Sequence, residues 1–293
     1  MSGRWGGPEP TSHFFTSQRQ RLHYVDWGNP DAPPLILVHG GRDHCRNWDW
    51  VAAELRSDWH IIAPDLRGHG DSAWSSDGAY LMPSFVYDLA ELIHQLSLAP
   101  VSIIGHSLGG NISLRYAGIY PENVARIVAI EGLGPSPDYL AERLRTPPPD
   151  RMREAIDRRR EVACRHPRRY AGFEEALARM REQNTHLSEE RARHLTRHGL
   201  MRNEDGSFGW KFDPYIHALK PSDEDQGQLV TLWNRITCPA LLVYGADSWA
   251  SNPAVDGRAA HLPSARVALI EGAGHWVHHD QFDAFMAEVR GFL

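Results

Sequence analysis

The chain has 293 residues, 42% of them hydrophobic and 23% charged, and carries a formal net charge of −6. That balance belongs to a globular protein long enough for a full core and one insertion. It argues against a general affinity for nucleic acid or an anionic membrane, both of which need a basic surface, and no apolar run approaches the ~18 residues that cross a bilayer. A small neutral molecule is the easier partner.

Met1 to Pro10 holds glycines and prolines but no apolar stretch, so no signal peptide is expected. The cysteines, Cys45, Cys164 and Cys238, are odd in number and widely spaced, which suits a reducing, cytoplasmic setting and offers no metal-ligand pattern. His13 to Ser17 and Leu22 to Trp27 predict two strands about a polar turn, Gln18-Arg19-Gln20. Leu35-Ile36-Leu37-Val38 is continuously apolar, as a strand buried on both faces must be, and it ends in the sharp loop His39-Gly40-Gly41-Arg42. A helix is expected over Trp48 to Leu55. Ile61 to Ala63 is the next short strand and runs out into Pro64 to Ser72. Phe85, Leu89, Leu92, Ile93 and Leu96 repeat at helical spacing.

Val101 to Asn111 organises the rest. An apolar strand breaks at Gly105, presents Ser107, and restarts as a helix through Leu114 and Tyr120. Gly-x-Ser-x-Gly after a strand and before a helix is a nucleophile elbow, a turn so tight that small residues are needed two before and two after the serine. The helix that begins at Leu108 aims free N–H groups and the positive end of its dipole at the point where an oxyanion would form. Val124 to Ile130 is a further strand, ending in Glu131-Gly132-Leu133-Gly134.

Strands alternating with helices imply an α/β fold with a mostly parallel central sheet flanked by helices, and in such sheets ligands bind beyond the carboxyl ends of the strands. From Pro135 to Arg235 the alternation stops. Arg151 to Cys164, Phe173 to Gln183 and Ser188 to His198 read as polar-faced helices, Pro147-Pro148-Pro149 as a stiff hinge or turn, and Asn203 to Pro214 as turn-rich. This stretch is expected to be a helical cap, 135–235, inserted into a core made of 1–134 and 236–293. The eight arginines between Arg151 and Tyr170 are interleaved with Glu154, Asp157 and Glu161, which favours a solvated, ion-paired helix face. Alternation resumes with strands at Ala240 to Tyr244 and Arg266 to Ile270 and a last helix from Gln281 to Leu293. Their loops carry Asp247-Ser248 and Gly274-His275-Trp276.

His39-Gly40-Gly41, Asp65 to Ser72, Gly105 to Gly110 and Gly272 to His275 resemble, in that order, the signature loops of the α/β-hydrolase family. The resemblance covers nearly the whole chain outside the cap. It implies a nucleophile, a histidine base and a carboxylate, with Ser107 and His275 in the first two roles. A serine, rather than the aspartate of haloalkane dehalogenases and epoxide hydrolases, implies an acyl-enzyme and transfer of the acyl group to water.

In most relatives the carboxylate lies at the position of Ser248, which can supply no negative charge. Glu131, at the end of the strand after the elbow helix, is the favoured alternative, and Asp247 is the second. Oxyanion donors carry over to the backbone N–H groups of Gly41 and Leu108. His278 and His279 read as surface residues, and His106 as packed or hydrogen-bonded. Arg42, His44, His106, Trp48, Trp210 and Trp276 are candidates for contact with substrate, the tryptophans as lining of an apolar acyl pocket under the cap. Asp65 and Arg67 read as structural. The expected activity is cofactor-independent hydrolysis of a small or medium carboxylic ester. Carbon–carbon bond, lactone or amide hydrolysis, and a small-molecule receptor on the same scaffold, stay open.

Overall fold

The computed structural model describes residues 8–78, 80–218 and 226–293. Met1 to Gly7 of the expected leading segment, and 219–225 of the expected insertion, lie outside them. The elements in chain order are β1 (Thr11–Ser17), β2 (Gln20–Asp26), β3 (Pro34–Val38), α1 (Asp49–Leu55), β4 (His60–Pro64), α2 (Met82–Gln95), β5 (Val101–His106), α3 (Leu108–Ile119) and β6 (Val124–Ile130). Next come α4 (Pro137–Arg145), α5 (Pro148–Ala163), α6 (Phe173–Gln183), α7 (Glu189–Gly199), β7 (Leu200–Arg202), β8 (Phe208–Trp210) and α8 (Gln226–Trp233). The chain closes with β9 (Ala240–Gly245), β10 (Ala265–Ile270), α9 (Val277–Asp280) and α10 (Phe282–Phe292).

Eight strands form one sheet in the order β1-β2-β4-β3-β5-β6-β9-β10. β1 and β2 pair as a hairpin, in register from Thr11 opposite Asp26 to Ser17 opposite Gln20, and β2 runs antiparallel to β4. The two turn residues, Gln18 and Arg19, have φ of 46° and 63°, as the tight turn that matches strand twist requires. All remaining pairs are parallel.

Side chains of the central strands alternate between two apolar layers. Ile36, Val38, Ile103, Ile127 and Leu242 face one, with α2, α3 and α8 residues such as Leu92, Ile112 and Trp233. Leu35, Leu37, Ile104, Val128 and Val243 face the other, with Val51 of α1 and Phe285 of α10. Burial on both faces is why these strands read as unbroken apolar runs, and each fully buried Leu or Ile contributes roughly 1.5–3 kcal/mol.

Between β6 and β9 the chain leaves the sheet. Three features there differ from expectation. Of Pro147 to Pro149, expected as a hinge or turn, Pro147 does lie in the turn between α4 and α5, but Pro148 and Pro149 open α5, because a residue without N–H loses nothing in a helix's first turn. The preceding helix α4 has no buried residue, so it lacks the apolar stripe that periodicity detects. The turn-rich stretch holds a two-stranded ribbon, Leu200 opposite Trp210 and Arg202 opposite Phe208, whose three-residue arms are too short for alternation to register. Ser188 caps α7 with its side chain, its Oγ accepting from the Arg191 N–H.

The insertion folds back onto the loops at the carboxyl edge of the sheet. Asp213 N–H donates to Gly68 O at 2.8 Å, His44 Nε2 to Leu195 O at 3.0 Å, and His194 Nε2 lies 3.0 Å from Asp49 Oδ2. No helix among the described residues is long and apolar enough to cross a membrane.

Candidate active site

Strand β5 delivers Ser107 in a conformation that a non-glycine residue seldom adopts, φ 50° and ψ −112°. The turn closes only because its neighbours lack side chains. A Cβ on Gly105 would sit 2.7 Å from Gly109 O, and one on Gly109 would sit 2.3 Å from Val38 O. The first backbone bond of α3 runs from Asn111 N–H to Ser107 O at 3.0 Å, which leaves the N–H groups ahead of it pointing out of the helix start.

The loop after β3 lies across this turn. A Cβ on Gly40 would come within 2.7 Å of His106 Nδ1 and 3.4 Å of Ser107 Cβ, whereas one on Gly41 would meet no described atom within 4 Å. Gly41 is therefore the open position beside the serine. His39 holds the loop in place: its Nδ1–H donates to Gly40 O at 2.6 Å, and its Nε2 accepts from Leu66 N–H at 3.0 Å. Burial lowers the His39 pKa against the pull of Asp65 and Gly40 O, so the ring stays neutral and can serve both bonds.

Glu131 follows β6 with φ 49°. Its carboxylate is buried and receives three groups. Gly245 N–H donates to Oε1 at 3.0 Å, Ser248 Oγ–H donates to Oε2 at 2.7 Å, and His275 Nδ1 bonds to the same Oε2. Room for the Glu131-Gly132 loop against the elbow helix comes from a crossing of two glycines, since a Cβ on Gly132 would be 2.7 Å from Gly110 Cα.

His275 is carried by the loop after β10. Gly274 N–H donates to Asp280 Oδ2 at 2.9 Å, and His106 Nε2–H donates to His275 O at 2.9 Å. The Trp249 ring, 80% exposed, lies with its centroid 4.6 Å from that of His275. An imidazole whose Nδ1 proton is held by a carboxylate presents Nε2 as a proton acceptor, and Nε2 is the nitrogen that must take a proton from a nucleophilic hydroxyl. Ser107 Oγ makes no hydrogen bond among the described residues.

Of the residues picked out from sequence, Ser107, His275, Glu131, Gly41 and Leu108 come together at this edge. Asp247 stands in the same loop as Ser248 but is exposed, its backbone N–H bonded to Ala273 O at 3.0 Å. Arg42, His44, Trp210 and Trp276 line one small cavity with Lys211 and Phe212. Arg42 is exposed and makes no ion pair among the described residues.

Two expected substrate contacts are instead packing. Trp48 is completely buried in the layer under α1, its ring stacked 4.6 Å from His278, because an indole on the inner face of a short helix fills the sheet-side core. His106 is buried between His275 and His278, and burial together with those two rings pushes its pKa well below the ordinary value. The surface reading of His278 and His279 also fails. Both are buried and donate through Nε2 to Asn47 Oδ1, at 2.8 and 2.6 Å, while Asn47 Nδ2 donates to Asp43. Trp249, Asn47 and Asp280 carried no motif that sequence could flag, and Ser248, marked in sequence only by its missing charge, turns out to be a donor to Glu131.

Asp65 and Arg67 hold loops. Asp65 accepts from His23 Nδ1 and Cys45 N–H, both at 2.7 Å, and from Asp71 N–H at 2.8 Å. Burial alone would raise its pKa, but the His23 bond and charge, with His39 and the Asp71 N–H, hold it below the usual carboxylate range. Arg67 pairs with buried Asp88 through two bonds of 2.6 and 2.7 Å.

Among the described residues two side-chain groups have metal-ligand spacing. In the first, His23, Cys45 and Asp65, burial keeps the Cys45 thiol protonated and Asp65 is taken by donors. In the second, Asp49, His194 and His198, the Arg46 guanidinium already lies on both Asp49 oxygens at 2.9 and 2.8 Å. Neither arrangement suits a cation.

The chain matches the family described as alpha/beta hydrolase fold over residues 33–282. It is similar to the esterase Rv0045c of Mycobacterium tuberculosis, 28% identical across 94% of this chain and 87% of that protein. A solved structure of the same esterase superposes with a TM-score of 0.77 at 26% identity, covering 97% of this chain and 92% of the other. It is also similar to the esterase YbfF of Escherichia coli, 29% identical across 89% of this chain and 92% of the relative. The structure of E-2-(acetamidomethylene)succinate hydrolase shares the fold, with a TM-score of 0.80 at 20% identity over 97% and 99% of the two chains. An eight-stranded sheet with an elbow serine, a histidine after the last strand and a match over most of its length make this chain a member of the α/β-hydrolase family, and a hydrolase.

Proposed function

We propose that the protein hydrolyses a small or medium carboxylic ester through an acyl-enzyme on Ser107, with His275 as the base and Glu131 as the carboxylate that orients it. The observation that carries this reading is the hydrogen bond from His275 Nδ1 to buried Glu131, on a loop beside a serine held at φ 50°. In the first step His275 Nε2 takes the Ser107 proton as Oγ bonds to the carbonyl carbon. The oxyanion that forms is met by the N–H groups of Leu108 and Gly41. His275 then gives the proton to the leaving alkoxide. A water, deprotonated by the same nitrogen, attacks the acyl carbon, releases the acid and restores the serine.

Glu131 is preferred to Asp247 because its carboxylate is buried and bonded to the imidazole, whereas Asp247 is exposed. Residues 1–134 and 236–293 form the catalytic core in this reading, and 135–235 a cap over its active edge. A cytoplasmic setting fits Cys45, Cys164 and Cys238, all unpaired.

Labelling by a fluorophosphonate, read by intact mass on the wild type and on Ser107→Ala, followed by a panel of esters, tests the proposal. One adduct on the wild type, none on the variant and turnover of an ester are the expected results. Ester turnover that survives Ser107→Ala would sink the acyl-enzyme. A labelled serine with no ester turned over would favour lactone, amide or carbon–carbon bond cleavage, and no adduct on either protein would favour a receptor.

A further inference from the structure

A cavity of about 380 Å³ opens among the inserted helices, and Ser107 does not line it. Arg158, Arg165, His166 and Arg168 line it together with Trp210 and Phe212, and among the described residues no Asp or Glu does. On a chain of net charge −6 this is a local reversal of sign.

Most of the arginine run is neutralised within its own neighbourhood. Arg153 pairs with Asp150, Arg160 with Asp157 and Arg169 with Asp205, while Arg159 bonds to Asp77 O. The cavity arginines are not matched in the same way. Arg158 and Arg165 share one carboxylate, Glu161, and Arg168 makes no ion pair among the described residues.

The aromatic pair is shared between this cavity and a second, smaller one. Trp210 and Phe212 stack with centroids 6.4 Å apart and planes 11° from parallel, and Trp210 Nε1–H is anchored on Tyr170 Oη at 2.9 Å. Both rings also line the small cavity bordered by Arg42, next to Gly41, and by Trp276, next to His275. A molecule reaching past these rings from the Arg42 and Trp276 side would meet the guanidiniums. Planar forks of N–H donors suit phosphate and carboxylate oxygens, and indole and phenyl faces suit an alkyl segment.

Resting on the hydrolase reading above, we propose that this cavity holds the anionic end of an amphiphilic substrate, a phosphate or carboxylate joined by an apolar arm to the acyl group at Ser107. The neutral-partner expectation drawn from overall charge then holds for the reacting bond and not for the far end of the molecule.

The test compares three esters of one acyl group, with hexanediol, with its monophosphate and with 6-hydroxyhexanoate as the alcohol, on the wild type and on Arg165→Glu/Arg168→Glu. Expected is a kcat/KM about tenfold higher for at least one anionic ester than for the neutral one, carried in KM, weakened by salt and falling to a ratio of about one in the double variant. The larger of the two anionic ratios identifies the head group. Calorimetric titration of Ser107→Ala with hexyl phosphate and with hexanoate reads binding without turnover, with heat expected for one of them and its loss in Ser107→Ala/Arg165→Glu/Arg168→Glu. A wild-type ratio near one for both anionic esters overturns the proposal and leaves ester hydrolysis standing. If no ester is cleaved the ester reading fails by itself, and absence of a heat that the double substitution abolishes then overturns the cavity's role as well.

Discussion

Ser248 donates a 2.7 Å hydrogen bond to Glu131, on the oxygen that also holds the His275 ring. The residue at the position where most relatives place an acid thus supports an acid carried by a different strand. Glu131→Gln keeps the shape, removes the charge and presents an N–H₂ that can face the imidazole. We expect kcat for the best ester to fall by about 10³-fold or more, while Asp247→Asn stays within about twofold of wild type. Steady-state kinetics on the two variants check it.

Removal of the Ser248 hydroxyl leaves Glu131 Oε2 with one donor fewer in a buried setting. Ser248→Ala should lower kcat by about ten- to a hundredfold, the effect of one hydrogen bond to a charged group. Ser248→Asp should be worse, because two carboxylates would then share the site. In Glu131→Gln/Ser248→Asp the charge is back on the β9 loop, and part of the activity lost in Glu131→Gln should return. A double variant no better than Glu131→Gln would mean that the β9 loop cannot aim a carboxylate at His275.

Gly109→Ala forces a methyl within 2.3 Å of Val38 O and 2.5 Å of His39 O, both backbone atoms that cannot swing away. We expect it to destabilise the fold by about 2–3 kcal/mol in denaturant unfolding, the range for overpacking a core. Gly291→Ala, in α10 and with nothing within 4 Å, is the control. It should raise stability by about 0.5–1 kcal/mol through helix propensity.

Stability should fall as pH drops from 7 toward 5. Burial lowers the pKa of His39, His106, His278 and His279, and takes that of His44 down to about 4. In the unfolded chain each protonates near ~6.5, so below that pH the unfolded state binds more protons and is favoured. Buried Asp43, raised well above the usual carboxylate range, and Asp280, also raised by burial, act in the opposite sense, as two groups against five. Thermal unfolding between pH 5 and 7.5 reads the sum. Replacing His279 by Gln should reduce the slope of ΔG against pH by about one proton, roughly 1.4 kcal/mol per unit between its two pKa values.

Much of this fold is written in local pattern. Strands buried on both faces and loops rich in glycine mark the sheet and its active edge, and Glu131 was visible because Ser248 left the usual place without a charge. What escaped is set by contacts between distant segments. His278 and His279 look like surface residues until Asn47, more than 200 positions earlier, supplies the oxygen that lets both be buried. Trp48 reads as a candidate pocket wall although a tryptophan is more often core, and its complete burial against the ring of His278 decides for core. In the insertion, the exposed α4 and the three-residue arms of β7 and β8 carry too little burial to impose a period.

Arg258 donates at 2.8 Å to Gly134 O and at 3.3 Å to Pro135 O, just where the chain departs from β6 for the inserted helices. Glu131 stands only three residues ahead of that junction, so the start of the inserted helices and the carboxylate bonded to His275 share one short run of backbone. An acid on the β9 loop would be insulated from it. In the mechanism proposed above, a displacement of the inserted helices that pulled on 134–135 would act on Glu131 within three residues, and Arg258, bonded to both carbonyls, would oppose it.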